Sequence, residues 1–222
     1  MNQQVAGTNE LIGILGGTGK EGQGLALRWV HGGVDILLGS RDIAKAVDVA
    51  SALNKKLGLE VVRGLTNSDV ASRAQTIVST LPHPGHLATL ETLKKDLEGK
   101  LVMVATVIWP PGPLERPSAA EEAQEILTDR TRVVAAFQTV SAVGLRALEE
   151  QIEDDVLVCG DDAEARKKAI CLIERTGLRG IDAGPLRNAR TIEAMTGVLL
   201  QVNKAHSTKH AGIRITGLRS VR

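Results

Sequence analysis

The residues whose types and spacing could do chemistry begin at Gly17-x-Gly19-x-x-Gly22, inside the string Gly16-Gly17-Thr18-Gly19-Lys20-Glu21-Gly22. The turn directly follows an apolar run, Leu11–Leu15, that reads as a buried strand, and it opens a helical pattern over 20–32. In that setting each glycine has its own task. Gly17 permits the tight strand-to-helix turn, Gly19 lets backbone approach a pyrophosphate, and Gly22 lets the helix pack on the strand. The helix start then offers unpaired N–H groups and a positive dipole end to phosphates. Lys20, within the turn, joins the glycines as an expected cofactor contact.

The next strand selects the nucleotide. A site for NAD commonly ends that strand with Asp or Glu, which accepts from the ribose 2′-hydroxyl. Here the strand ends Leu38-Gly39-Ser40-Arg41, and Asp42 comes only after the arginine. Ser40 can donate to a 2′-phosphate, Arg41 can fork onto it, and Lys45 lies four residues on, on the same helical face. Each charge-assisted hydrogen bond is worth about 1.5–3 kcal/mol, so two or three favour NADP over NAD by about a hundredfold or more. Further along, Leu81-Pro82, where the chain leaves another strand, is the expected contact for the nicotinamide.

A second group of charges lies at the carboxyl end. From Leu186 onward there are seven basic residues and one acid, Glu193. Arg187 and Arg190 precede or open a long helix over 190–205, where cations oppose the helix dipole; an anion bound there would explain them. The residues after Arg219 read as a fraying end. His83-Pro84-Gly85-His86 and His206-x-x-x-His210 have spacings that could hold a metal, but neither has a matching Cys, Asp or Glu in an evident pattern, so no metal is expected. Cys159 and Cys171 form neither a disulfide framework nor a cluster.

The elements that must position these residues follow from periodicity. Apolar runs at 34–38, 59–62, 76–80, 101–107, 132–136, 156–159 and 178–181 alternate with helical patterns, one of them over 43–57. Repeated βα units of this size predict an α/β protein: a Rossmann-type, doubly wound, mostly parallel sheet. Trp109-Pro110-Pro111-Gly112-Pro113 reads as a loop at the carboxyl edge of that sheet, the edge where ligands bind in open parallel sheets. A boundary falls near 140–155, where the acidic run from Glu149 to Asp155 reads as a solvated helix end. It divides the chain into a nucleotide-binding domain over 1–145 and a small α/β extension over 146–222.

Composition excludes several classes. The chain has 222 residues, 43% hydrophobic and 24% charged, and 27 basic against 26 acidic side chains give a net charge of +1. No global basic field exists for nucleic acid or a membrane surface. Two Trp, one Phe and no Tyr leave no aromatic platform for stacking bases. No signal-peptide core opens the chain, and no apolar run is long enough to span a bilayer. The expectation is a cytoplasmic protein with small-molecule partners.

The motifs resemble those of the NADPH-dependent reductases of the deazaflavin coenzyme F420, the F420:NADP oxidoreductases. The resemblance runs through Ile14-Leu15-Gly16-Gly17-Thr18-Gly19, Gly22 to Arg28, Gly39-Ser40-Arg41 with Lys45-Ala46, and Val158 to Asp162. It is strongest in Asp182-Ala183-Gly184-Pro185-Leu186 with Asn188 and Arg190, and Gly212-Ile213 closes it. The resemblance implies hydride exchange between NADPH and F420 as co-substrate, NADP contacts at Thr18, Ser40, Arg41 and Lys45, and a homodimer. The apolar residues Met195, Val198, Leu199 and Val202 of the last helix could serve as its interface. The chain departs from the family's pattern on the acceptor side: Gln138 and Ser141 stand where a His and a Pro are expected, and the 106–111 loop differs too. Gln138 and Thr139 are the residues expected to face the acceptor, with Arg187 and Arg190 near its anionic tail. The alternatives are an NADP-dependent reductase of a flavin or small carbonyl, and a non-catalytic NADPH-binding redox sensor.

Overall fold

In the computed structural model the described residues are 10–110 and 115–218. Arg219 to Arg222 and most of the 109–113 loop therefore lie outside them. The elements run β1 (Leu11–Leu15), α1 (Lys20–His31), β2 (Asp35–Ser40), α2 (Ile43–Leu57), β3 (Val62–Thr66), α3 (Asn67–Arg73), β4 (Thr76–Ser79) and α4 (His83–Leu97). They continue with β5 (Leu101–Val104), α5 (Ala119–Ile126), β6 (Arg132–Ala135), α6 (Ala142–Arg146), β7 (Asp155–Gly160), α7 (Ala163–Glu174), β8 (Arg179–Asp182) and α8 (Ala189–Ala205).

The strands form one sheet in the order β3-β2-β1-β4-β5-β6-β7-β8. Every neighbouring pair is parallel except β6–β7. This is the doubly wound Rossmann arrangement expected from the βα alternation, with an added carboxyl-terminal arm. The order reverses between β1 and β4, which opens the crevice where such sheets bind ligands. The central strands carry side chains buried on both faces, so they read as continuous apolar runs such as Leu101-Val102-Met103-Val104. One apolar layer holds Ile12, Ile14, Trp29, Ile36 and Val134, and the other Leu15, Ile77, Leu90, Val102 and Val133. The strand register separates Ile14 and Leu15 into opposite layers.

Three local features depart from the sequence-based expectation. The third strand begins at Val62 rather than at Leu59, which is 46% exposed. It is an edge strand, half polar, so the apolar run at 59–62 overlaps it only at Val62. Helix α3 carries no long apolar stripe; what starts it is Thr66, whose hydroxyl accepts from the Asp69 N–H and donates to its carboxylate. The acidic run is not a solvated helix end throughout. Asp155 opens β7, is 1% exposed, and takes a two-point grip from Arg179 at 2.7 and 2.6 Å. The boundary expected at 145/146 falls within α6, which packs closely on α1. Arg28, buried on α1, donates to the carbonyls of Gly144, Leu145, Ala147 and Glu150 and holds that segment down.

Candidate functional site

The glycine turn shows a division of labour. A Cβ at Gly22 would sit 2.6 Å from Gly17 Cα, so helix–strand packing itself requires that glycine. A Cβ at Gly17 would press on Leu38 at 2.8 Å. Gly19 is different: its φ is −73°, and a Cβ there would meet only the Gly16 carbonyl, at 3.4 Å. The protein tolerates a side chain at Gly19; a ligand pressed against the backbone would not. The turn is braced by Gln23, whose amide donates to the Thr18 carbonyl at 2.8 Å, and by Asn67, whose Oδ1 accepts from the Gly16 N–H at 3.2 Å.

Beside the turn lies a cleft of about 690 Å³ lined by Gly16, Thr18, Gly19, Ser40, Arg41, Asp42, Lys45, Asn67, Thr80, Leu81, Pro82, Pro84, Gly85 and Thr89. That volume suits a cofactor. Thr18, Gly19, Ser40, Arg41, Lys45, Leu81 and Pro82 from the expected set therefore come together here. Gly17 and Gly22 lie beneath the turn as packing glycines, and Lys20 is exposed outside the lining. Asp42 also lines the cleft, but its Oδ1 caps α2 by accepting from the Lys45 N–H at 3.2 Å. Ser40 accepts from the Asp42 N–H and keeps its own proton to donate. Arg41 and Lys45 are exposed and enter no salt bridge among the described residues. Two unpaired cations and a hydroxyl donor at the tip of β2 suit a phosphate, not a bare hydroxyl.

Sequence reasoning passed over Asn67, Thr80, Pro84, Gly85 and Thr89. A signal existed for Asn67, since Thr66-x-x-Asp69 has the form of a capping box at the end of a strand. Thr80 sits on the wall by donating to the Leu15 carbonyl at 3.0 Å. The first of the two histidine pairs is occupied with structure. His86 is fully buried, with Nδ1 at 3.1 Å from the Ser79 hydroxyl and 3.2 Å from that of Thr106, and burial holds its pKa down to about 4. The Thr106 hydroxyl donates onward to the Leu81 carbonyl at 2.8 Å, so this neutral ring anchors the strand tips that shape the cleft. His83 pairs with Glu122 on α5 at 3.2 Å.

The acceptor-side residues are arranged differently. Gln138 and Thr139 are buried where β6 runs toward α6, just after Phe137, which takes a left-handed φ of 77°. Such a φ strains a bulky residue. Phe137 is held there by burial and by an edge-on contact with Trp29, centroids 5.7 Å apart. Gln138 Nε2 donates to the Val104 carbonyl at 2.8 Å, while its Oε1 is buried without a partner. The Gln138 carbonyl accepts from Thr196 of α8 at 2.9 Å.

Arg190 is not free for an anion in this structure. Its guanidinium grips both oxygens of Glu121 on α5, at 2.7–3.0 Å. Burial alone would raise the Glu121 carboxyl, but Arg190 and Ser118 more than offset it and hold the group below its usual range. The carboxylate that the sequence left out of account thus explains a cation at the start of α8. Arg187 is exposed and lines a separate hollow with Glu121, Glu125 and Asp161. The one acid of the carboxyl-terminal stretch, Glu193, is 6% exposed. It accepts from the N–H of Ala119 at 2.8 Å and of Ile108 at 3.4 Å, pinning the end of the β5 segment and the start of α5 to α8. Burial pushes it up to about 7 against those N–H groups.

Comparison with known proteins agrees with this geometry. Residues 11–107 match the family model described as NADP oxidoreductase, coenzyme F420-dependent. The F420-dependent NADP reductase of Methanocaldococcus jannaschii is 40% identical over 221 residues, covering 93% of this chain and 98% of that protein. That of Methanothermobacter marburgensis is 37% identical over 231 residues, with 93% and 98% covered. A solved structure from Arthrobacter sp. FB24, provisionally described as an F420-dependent NADP reductase, superposes with a TM-score of 0.79 at 23% identity, covering 92% of this chain and 98% of that one. Full-length identity at this level, together with the glycine turn and the Ser40-Arg41 tip, places the chain in the family of F420-dependent NADP reductases.

Proposed function

We infer that this protein is an enzyme that transfers a hydride between NADPH and the deazaflavin coenzyme F420. The observation that carries the nucleotide half is the tip of β2, where Ser40, Arg41 and Lys45 face one cleft with the glycine turn and the one carboxylate of the lining, Asp42, is engaged at the cap of α2. The acceptor is supported by full-length similarity to reductases named for F420. The residues present fit NADP: Gly19 leaves backbone open on the ligand side, and two unpaired cations await a 2′-phosphate.

The reactive chemistry belongs to the two cofactors, whose rings exchange the hydride. The chain's residues do the positioning. Thr18, Gly19 and the α1 start would hold the pyrophosphate, Ser40, Arg41 and Lys45 the 2′-phosphate, and Leu81-Pro82 the nicotinamide side of the cleft. Gln138 and Thr139 would face the acceptor, with Arg187 and Arg190 toward its anionic tail. For Arg190 this requires sharing the guanidinium with Glu121. The arm β7 to α8 would complete the acceptor side. The second half of α8 exposes Val198 and Val202, one turn apart, at 62% and 37%, with the half-buried Met195 and Leu199 on the same side; we assign this face to a homodimer interface. No helix among the described residues is long and apolar enough to cross a membrane, and a cytoplasmic location is part of the same reading.

The test is to mix protein with NADPH and F420 and follow the deazaflavin absorbance, with NADH and FMN as parallel controls. Bleaching with NADPH and F420 alone is the expected result. Bound NADPH that F420 fails to oxidise would overturn the acceptor assignment. Sedimentation of Val198→Glu against the parent checks the dimer: the variant should run at half the mass.

A further inference from the structure

We propose that Asn67 holds the adenosine ribose of the nucleotide, its side-chain amide donating to the ribose 3′-hydroxyl. This contact rests on the NADP reading given above. It adds a donor that neither the glycine turn nor the tip of β2 supplies.

Two glycines bring Asn67 into reach. A Cβ at Gly13 on β1 would stand 2.6 Å from Val70 Cγ1, and a Cβ at Gly39 on β2 would stand 2.6 Å from Asn67 Oδ1. Neither glycine has a positive φ. Glycine inside a strand weakens it and marks a close approach; here both let α3 settle on β1 and β2. Thr66 fixes where that helix begins, its hydroxyl accepting from the Asp69 N–H at 3.1 Å. Asn67, the first residue of α3, is thereby carried over Gly39 to the end of β1. There its Oδ1 accepts from the Gly16 N–H at 3.2 Å. One side chain thus crosses β2 and ties three strand ends together.

Bracing the turn uses only half of the amide. The Gly16 N–H is a donor, so the oxygen faces it and the orientation of the amide follows. Nδ2 is left with two protons, and among the described residues they have no acceptor. Asn67 is only 7% exposed, and an unpaired donor in such a place is costly. The fully sealed side-chain atoms without a partner among the described residues are His86 Nε2 and Gln138 Oε1. Asn67 Nδ2 is not one of them, and Asn67 lines the nucleotide cleft. The surface it keeps is where an acceptor on a ligand can meet it.

The position selects the acceptor. On one side of Asn67 is the Gly16 turn, beside the pyrophosphate; on the other is Gly39-Ser40-Arg41, beside the 2′-phosphate. The part of NADP that joins those phosphates is the adenosine ribose. Its 2′ oxygen is esterified, which leaves the 3′-hydroxyl to accept from an N–H. Charge agrees, because a neutral amide donates without setting a second carboxylate beside Asp42 and the 2′-phosphate. NAD carries the same hydroxyl. Asn67 therefore supports affinity, and Arg41 and Lys45 keep the selection.

The test measures binding by calorimetry for the full-length parent, Asn67→Ala and Asn67→Asp. The ligands are NADPH, its 3′-deoxy analogue and NADH, and each unliganded protein is also unfolded in denaturant. In the parent, removing the 3′-hydroxyl should weaken binding about fivefold, the scale of one neutral hydrogen bond. Asn67→Ala should bind NADPH about fivefold or more weakly and should no longer distinguish it from the 3′-deoxy analogue. A loosened turn in that variant would weaken both ligands alike and cancel in their ratio. Asn67→Asp keeps an acceptor for the Gly16 N–H, so its unfolding should match the parent's. Its carboxylate should nonetheless weaken NADPH about tenfold or more, and NADH much less. A 3′-deoxy penalty that is absent from the parent, or equal in the parent and Asn67→Ala, overturns the proposal. So does an Asn67→Asp protein that binds NADPH as the parent does, which would leave Asn67 a brace alone. A parent that binds neither nucleotide overturns the NADP reading itself and this contact with it.

Discussion

The two halves of the sheet's carboxyl edge treat charge in opposite ways. On the β1–β4 side, Arg41 and Lys45 are exposed and unpaired around a preformed cleft. On the β5–α8 side the charged groups hold one another: Arg190 grips Glu121, His83 meets Glu122, and Glu193 takes backbone N–H groups from two segments. The first half is built for a ligand that brings its own anion. The second is a scaffold whose buried polar groups are satisfied internally, apart from the Gln138 Oε1 and the His86 Nε2. Nucleotide recognition can therefore be changed at the surface with little cost in stability, whereas acceptor-side changes disturb stability and recognition together.

That contrast can be broken or sharpened, and the largest effect expected is in the nucleotide half. Replacing Arg41 and Lys45 together with Glu should weaken NADPH binding by a hundredfold or more while leaving NADH nearly unchanged, as calorimetry with both nucleotides would show. Equal losses for both would mean the pair does not read the 2′-phosphate. The two glycines should then separate. Gly22→Ala forces a Cβ against Gly17 at 2.6 Å and should cost about 1–3 kcal/mol in a denaturant titration. Gly19→Ala should leave stability within about 0.5 kcal/mol and weaken NADPH about tenfold or more. If Gly19→Ala binds NADPH normally, the close backbone approach is not used.

In the acceptor half the pH dependence carries the next effect. Glu193 is raised by burial from 4.5 to about 7. The folded state thus binds this proton more tightly than the unfolded chain, and the stability due to this group falls as pH rises from about 4.5 to about 7. At 1.36 kcal/mol per unit the full loss is about 3 kcal/mol. Glu193→Gln should flatten that slope in chemical unfolding measured at pH 5 and pH 8; a parallel slope in both proteins would show that Glu193 does not titrate there. The smallest effect is that of Arg190→Ala. Its guanidinium is a third exposed, so losing the Glu121 grip should cost little stability, with NADPH affinity unchanged and the KM for F420 raised.

How much was legible followed the same line. The nucleotide half is local: one turn, one strand tip and one helical repeat, all within 17–45, so spacing assembles Gly19, Ser40, Arg41 and Lys45, with Thr18 added by the family resemblance. What it missed there, Asn67 and Thr80, reaches the turn from distant strands. The acceptor half is made of long-range pairs. Nothing in the sequence near Arg190 announces Glu121, 69 residues away, which already grips its guanidinium. Asp155 looked solvated because its partner Arg179 lies 24 residues on. Edge strand β3 is half polar, so the apolar run at 59–62 marks only its first residue, Val62.

The scarcity of aromatic residues has one further consequence. Trp29 is wholly buried against Phe137, Trp109 is 58% exposed just past β5, and the chain has no tyrosine. Ultraviolet excitation therefore reaches two emitters in opposite surroundings with no tyrosine background. The blue-shifted, quencher-resistant signal reports the packing behind Gln138, and the red-shifted, quenchable one reports the acceptor-side loop. The protein carries a two-colour readout of its own core and rim, without any label.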